Sequence, residues 1–315
     1  MKKKYLVTGG AGFIGSKLAK ALLDQGYEVT VVDNLSTGFI ENVPHGANFV
    51  LGDCGDISSI SKLGNQTFDA IYHIAGQSSG EVSFENPLLD LDSNVRSTLV
   101  LLKYAIENKC VSFIYASSMS VYGDAVSLPV KETDKTMPKS FYAVGKLASE
   151  NYMKIYQSLG LKTVALRLFN VYGIGQNLIN LKQGMSSIYL AQAIQSQKII
   201  IKGSPERFRD FVNINDVIKA FLSSSEEKIS SGIYNVCTGD KTHVRDILKL
   251  ICKSFDETIE LQFDGSTPGD QFGIFGSTSI FENQFGYKCE ILFHDGMLEM
   301  INWAKECYKH SRLNS

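Results

Sequence analysis

Tyr142 and Lys146 stand four residues apart in Tyr142-Ala143-Val144-Gly145-Lys146, a spacing that puts both side chains on one face of a helix. A phenol with an ordinary pKa near ~10 is a poor base at neutral pH, and a neighbouring positive charge favours its phenolate. Such a pair can take a proton from a substrate hydroxyl, although the same spacing also occurs on solvated helix faces. Hydroxyl residues gather upstream in Ala116-Ser117-Ser118-Met119-Ser120-Val121-Tyr122-Gly123. That segment ends an apolar run, at the carboxyl edge where open α/β sheets place ligands.

A second constellation lies near the start. Thr8-Gly9-Gly10-Ala11-Gly12-Phe13-Ile14-Gly15 follows an apolar run at once and opens a helical pattern. It reads as G-x-x-G-x-x-G on Gly9, Gly12 and Gly15, or as G-x-G-x-x-G on Gly10, Gly12 and Gly15. Either way, absent side chains let the turn tighten and the backbone approach a pyrophosphate at the helix N-terminus. An acid, Asp33, follows 18 positions beyond Gly15 in Val31-Val32-Asp33-Asn34. A carboxylate there accepts hydrogen bonds from a ribose diol and repels a 2′-phosphate. No Arg or Lys occurs from Asn34 to Ile40, so the pattern favours NAD over NADP.

The elements that must position these groups alternate. Tyr5 to Val7, Val29 to Val32, Phe49 to Leu51, Ala70 to Ile74, Phe113 to Ala116 and Thr163 to Leu168 read as buried strands. Phe13 to Gln25, Leu88 to Asn108 and Phe141 to Leu159 read as helices, the first and third stopped by Gly26 and Gly160. Strand and helix repeated in this way predict an α/β fold, a doubly wound parallel sheet covered on both faces. After about Asn170 the pattern loosens into Gly-, Ser-, Pro- and Asn-rich loops with short helices at Ile188 to Gln197, Val244 to Ser254 and Met297 to Tyr308. We divide the chain at that point: 1–170 as the dinucleotide-binding domain and 171–315 mainly as a smaller mixed α/β substrate lobe. Segments near 211–236, with strands around Phe211 to Ile214 and Ile233 to Val236, are expected to return to the main domain.

Bulk properties exclude several classes. Of 315 residues, 44% are hydrophobic and 20% charged, enough to bury a sizeable core, and the net charge of −2 gives no general reason to bind nucleic acid or an anionic membrane. Met1-Lys2-Lys3-Lys4 resembles the start of a signal peptide, but the apolar run after it is only Tyr5-Leu6-Val7. The six cysteines are scattered without a C-x-x-C pair, which fits a reducing compartment and argues against a zinc ribbon. A cytoplasmic protein with no metal and no membrane partner is the expectation.

The glycine turn, Gly52-Asp53 after the third strand and His73-Ile74-Ala75-Gly76 after the fourth resemble the extended short-chain dehydrogenase/reductase family. Within it, the pattern is most similar to the NAD-dependent nucleotide-sugar epimerases and dehydratases. The resemblance is dense from residue 5 to about 217 and sparse afterwards. It implies a Rossmann-like sheet and a cofactor, NAD, held by Gly9, Gly12, Phe13, Ile14, Gly15, Asp33, Asn34, Asp53, Ala75, Tyr142 and Lys146. It also implies that Ser118, four residues before the Tyr of Val121-Tyr122-Gly123, bonds the reacting sugar oxygen, with Tyr142 and Lys146 as its catalytic partners. Arg167-Leu168-Phe169-Asn170-Val171-Tyr172-Gly173 and Arg209-Asp210-Phe211-Val212-Asn213 match two further family segments, which makes Asn170 and Arg209 substrate contacts, the latter to the diphosphate. Asp270 is a fourth substrate residue, after Ser118, Asn170 and Arg209, but Thr267 stands where relatives commonly carry an arginine in Arg-Pro-Gly-Asp. Dehydratases have Asp-Glu where Met119 and Ser120 stand, decarboxylating relatives a Glu and 3,5-epimerising relatives a Cys at Ser120. Lacking these, the chain is expected to epimerise C4 of a nucleotide sugar, most simply a UDP-hexose. Another oxidoreductase, decarboxylase or dehydratase is the alternative, and an NAD-sensing regulator the remote one. By analogy with dimeric relatives, Leu88 to Asn108 and Phe141 to Leu159 are expected to pair with their copies in a homodimer.

Overall fold

In a computed structural model of the chain, residues 2–266, 269 and 271–313 are described; Thr267 and Asp270 lie outside them. Thirteen strands form: β1 (Lys4–Thr8), β2 (Glu28–Asp33), β3 (Asn48–Leu51), β4 (Ala70–His73), β5 (Ser112–Ser118), β6 (Lys162–Leu168), β7 (Asn170–Tyr172), β8 (Lys198–Ile201), β9 (Phe208–Arg209), β10 (Phe211–Asn213), β11 (Gly232–Val236), β12 (Thr242–His243) and β13 (Glu260–Phe263). Seven of them make one sheet in the order β11-β6-β5-β4-β1-β2-β3, every pair parallel. The chain starts in the middle, runs to one edge and crosses back to build the other, so the sheet is doubly wound with its switch point beside β1.

Adjacent residues of each strand face opposite cores. Tyr5, Val7 and Val31 belong to a cluster with Leu18, Leu22, Val217 and Phe221 from the helices Phe13–Asp24 and Ile214–Ser224. Leu6, Val32, Phe113 and Tyr115 belong to another with Leu101, Leu102 and Ala105 of Ser97–Glu107 and Met153 of Phe141–Ser158. Both faces are therefore covered, which is why the strands read as unbroken apolar runs. A third cluster, including Tyr172, Leu190, Ile201, Phe211, Ile247 and Met300, packs strands β7, β8 and β10 of the small sheets against the later helices.

Local chemistry sets the helix ends. Asn86 caps the helix that follows by accepting from Leu89 N–H at 3.0 Å, with Pro87 at its first position. Pro87–Leu91 continues through a π-helical turn at Asp92–Arg96 into Ser97–Glu107. Ser140 caps Phe141–Ser158 through Ala143 N–H at 3.2 Å. Gly232–Val236 joins the main sheet beside β6, but Phe211–Asn213 pairs with β7 instead. The reason is local: β5 and β11 already occupy both flanks of β6, and Asn213 ends its strand by capping the next helix through Asn215 N–H. Among the described residues, no helix is long and apolar enough to cross a membrane.

Candidate active site

At the carboxyl end of β1 the glycine turn is closed by backbone approach. A side-chain carbon at Gly15 would lie 2.2 Å from the Gly9 carbonyl, so only glycine fits. The helix Phe13–Asp24 starts from Gly12 without a side-chain cap or an acidic residue in its first turn. Its first N–H groups have no partner within the helix and carry the positive end of the dipole. Phe13 and Ile14 are half-buried against the core behind them. Asp33, buried at the end of β2, accepts from Ala11 N–H at 2.9 Å through one oxygen and from Leu35 N–H at 2.8 Å through the other. Beside it, Asn34 donates to Asp53 at 2.8 Å, and Asp53 also accepts from Gly55 N–H. The turn, Asp33, Asn34 and Asp53 thus occupy adjacent strand ends.

Ala75 reaches the same edge through His73. The Thr8 hydroxyl accepts from Ile74 and Ala75 N–H at 3.2 and 3.3 Å, so its own proton goes to His73 Nδ1 at 2.8 Å. His73 Nε2 then donates to Ser97, which donates to the Ser93 carbonyl. Burial pushes the imidazole down to about 3, consistent with this single neutral tautomer. The cradle has the features a dinucleotide requires: an uncapped helix start, a glycine contact that any side chain would block, and an acid at the second strand end.

The strand end β5 and the helix Phe141–Ser158 bring Ser118, Tyr142 and Lys146 together. Ser118 caps the turn Met119–Tyr122 and lies 3.0 Å from the Ser120 hydroxyl. Lys146 is buried, donates to the Ala116 carbonyl at 2.9 Å, and sits 4.7 and 5.6 Å from the ring centres of Tyr115 and Tyr142. Burial lowers its pKa to about 8, while the carboxylates of Asp90 and Glu150 pull it upward. Burial pushes Tyr142 up to about 12; a hydrogen bond with Ser118 lowers it, and Asp90 raises it further. At neutral pH the resting pair is phenol and ammonium, waiting for more positive charge.

Behind this pair sits a buried ion pair. Arg167 grips Glu150 through two bonds of 2.9 and 2.7 Å, Ser117 donates to the same carboxylate at 2.5 Å, and the guanidinium lies 4.7 Å from the Tyr122 ring centre. Ser117 is therefore spent on structure. Beyond the end of β6, Asn170 is half-buried and binds the Asp210 carbonyl through its backbone N–H and its side-chain amide. Asp210 gathers the N–H groups of Thr238, Gly239 and Gly276. Arg209 is buried, its guanidinium donating to the carbonyls of Phe208, Gln271 and Phe272. It is aimed at the segment beside Asp270 rather than at open solvent. Arg207 is also buried, tied to the carbonyls of Lys202 and Ser204.

Sequence reading missed a polar cluster behind Lys146. Asp90 accepts from Gln77 at 2.9 Å and from Asn94 at 3.2 Å, and Asn94 also donates to the Gln77 carbonyl. Asp90 and Asn94 are both enclosed. Their four-residue spacing puts them on one helix face, but nothing in the sequence sets that polar face apart from a solvated one. The segment around the helix-capping Ser79 meets later parts of the chain through Lys182–Glu85 at 2.7 Å and Lys202–Glu81 at 3.1 Å, with Gln183 bonded to Ser78.

A doubly wound sheet with a glycine cradle, an acid on β2 and a Ser–Tyr–Lys group on β5 and the next helix defines a dinucleotide-dependent enzyme acting on a hydroxyl. Residues 5–237 match the model of the NAD dependent epimerase/dehydratase family, and the chain belongs to that family. A Methanocaldococcus jannaschii protein provisionally named a UDP-glucose 4-epimerase is 34% identical, over 95% of this chain and 98% of its own. The crystal structure of the Thermotoga maritima UDP-glucose 4-epimerase with UDP-glucose is similar with a TM-score of 0.90 at 30% identity, covering 96% of this chain and 99% of that one. The Thermus thermophilus UDP-glucose 4-epimerase in complex with NAD gives 0.88 at 32% identity over the same shares.

Proposed function

We propose that this enzyme interconverts the C4 epimers of a nucleotide-activated hexose, with a UDP-sugar as substrate. The observation that carries the reading is the company Ser118 keeps. Tyr142 and Lys146 face it, whereas its neighbours Met119 and Ser120 offer neither an acid nor a thiol. Elimination of water or epimerisation beside a carbonyl would need such a group. Proton and hydride transfer at one carbinol does not.

Bound NAD supplies the reversible hydride acceptor, and its ring cation favours the Tyr142 phenolate. Ser118 holds the C4 oxygen by a hydrogen bond. Tyr142 removes the hydroxyl proton, and Lys146 stabilises the phenolate that does so. The 4-keto sugar then presents its other face, and Tyr142 returns the proton to the same oxygen. General base assistance of this kind is worth about 10²–10⁴-fold. The N–H groups of Phe13 and Ile14, with Gly9, Gly12 and Gly15, would hold the pyrophosphate, Asp33 and Asn34 the ribose, and Asp53 the adenine. Ala75 would line the cofactor.

In this reading residues 1–170 bind the cofactor, while 171–315 mainly bind the sugar nucleotide through Asn170 at their boundary, Arg209 and Asp270. The Arg209 guanidinium would leave the carbonyls of Gln271 and Phe272 for the diphosphate. Phe141, Val144 and Ile155 leave an exposed apolar stripe on the Phe141–Ser158 helix, with Leu88, Leu89 and Leu91 exposed on the neighbouring one. This supports pairing of both helices with their copies in a homodimer. Unpaired thiols suit a reducing compartment, and we assign the protein to the cytoplasm.

The test is proton NMR of purified protein with UDP-glucose or UDP-galactose and no added cofactor. The C4 epimer should appear from either side and approach one common ratio. Enzyme-bound NADH with an oxidised sugar would instead assign a one-way oxidoreductase, a keto-deoxy sugar a dehydratase, and loss of carbon dioxide from UDP-glucuronate, run in parallel, a decarboxylase.

A further inference from the structure

Lys146 is a cation in a buried place, and a buried cation needs a counter-charge. The charged and titratable groups facing it can be taken element by element. His73, on β4, is neutral. Tyr115, on β5, presents its ring. On its own helix, Tyr142 is the reacting group, and Glu150 is already gripped by Arg167 and Ser117. Asp90, on the helix opposite, remains. Its first oxygen takes hydrogen bonds from two neutral amides, Gln77 and Asn94. No cation is bonded to it among the described residues.

The approach of that carboxylate depends on Gly145. A side-chain carbon at Gly145 would lie 3.3 Å from the second Asp90 oxygen and 3.4 Å from the Asn94 Cβ. The acid thus rests against the catalytic helix between Tyr142 and Lys146, where a larger residue would hold it off. The π-helical turn Asp92–Arg96 starts just after it and carries Asn94. Such turns cost a helix hydrogen-bond regularity and recur at functional sites.

We propose that Asp90 is a positioning residue of the reaction: its carboxylate, seated against Gly145, supplies the counter-charge that keeps Lys146 an ammonium and restrains Tyr142 from ionising before the cofactor is in place. The proposal rests on the roles given above to Tyr142 and Lys146. It assigns Asp90 no contact with substrate. Removing the charge should ease ionisation of Tyr142 and make Lys146 give up its proton sooner, so both groups titrate at lower pH.

The test compares Asp90→Asn with Gln77→Leu, which breaks the same hydrogen-bond cluster but leaves the carboxylate. Tyr142 is followed by phenolate absorbance near 295 nm, as the difference between each protein and its Tyr142→Phe counterpart, with no sugar present. In Asp90→Asn the Tyr142 midpoint should fall by about one pH unit, the usual effect of one nearby charge. The alkaline limb of the turnover profile should fall by a similar amount. Gln77→Leu should leave both where they are in the parent enzyme. Should Asp90→Asn fail to fold, Asp90→Ser makes the same charge change with a smaller side chain. Unmoved midpoints in the charge-removing variant, or an equal shift in Gln77→Leu, would overturn the proposal. The absorbance titration needs no turnover, so an error in the assigned sugar or reaction would show in the NMR assay and leave this result standing.

Discussion

Arg167 and Glu150 make the most demanding prediction about stability. Both side chains are almost fully enclosed, at 3% and 0% exposure, and joined by paired bonds of 2.9 and 2.7 Å. Arg167→Met keeps an unbranched, flexible side chain but leaves the Glu150 carboxylate with the Ser117 hydroxyl as its remaining hydrogen-bond donor among the described residues. Breaking a buried pair from one side costs about 3–5 kcal/mol, because an uncompensated charge stays behind. With an unfolding entropy of about 2.1 cal/mol/K per residue over 315 residues, that cost lowers the thermal midpoint by about 5–8 °C. Scanning calorimetry on the single variants and on Arg167→Met with Glu150→Leu measures it. The double variant, with both charges gone, should recover most of the loss. Should Arg167→Met melt within about 1 °C of the parent, or the double variant melt lower than either single one, the reasoning about an abandoned charge is wrong.

Three further outcomes are expected. Tyr142→Phe should lower turnover by at least about 10²-fold while the protein still carries NAD, seen by extraction and absorbance. Gly15→Ala, which drives a carbon to 2.2 Å from the Gly9 carbonyl, should purify without cofactor and show no midpoint gain when NAD is added. Because Lys146 loses its proton near pH 8, and the ammonium is the form that supports the phenolate, turnover should fall as pH rises through that value and be retained below it. A pH series of initial rates in the parent enzyme checks this.

Much of the architecture was legible because both sheet faces are buried, so the strands appear as apolar runs and the helices between them as period-3.6 patterns. The glycine turn, Asp33, Ser118, Tyr142 and Lys146 were legible for a different reason: each belongs to a short stretch whose residue types make sense only together. Asp90 was not. In Leu88-Leu89-Asp90-Leu91-Asp92 it looks like one of two surface acids, and its burial depends on Gly145, 55 positions later. The same limit hid the fate of Phe211–Asn213: its apolar character predicts a strand, but the choice of partner depended on β11 having taken the last open flank of β6. Arg209 shows a third limit. A guanidinium in a family segment announces an anion, yet in this state it is engaged by the carbonyls of Gln271 and Phe272.

The ion pairs Lys182–Glu85 and Lys202–Glu81 join two segments late in the chain to the short helix Gly80–Glu85. Their side chains remain substantially exposed, so each is worth about 0.2–1 kcal/mol. Two of them together contribute an amount comparable to thermal energy, a door latch rather than a bolt. Added salt screens charges beyond about 8–10 Å and weakens exposed pairs, so this latch should loosen as ionic strength rises.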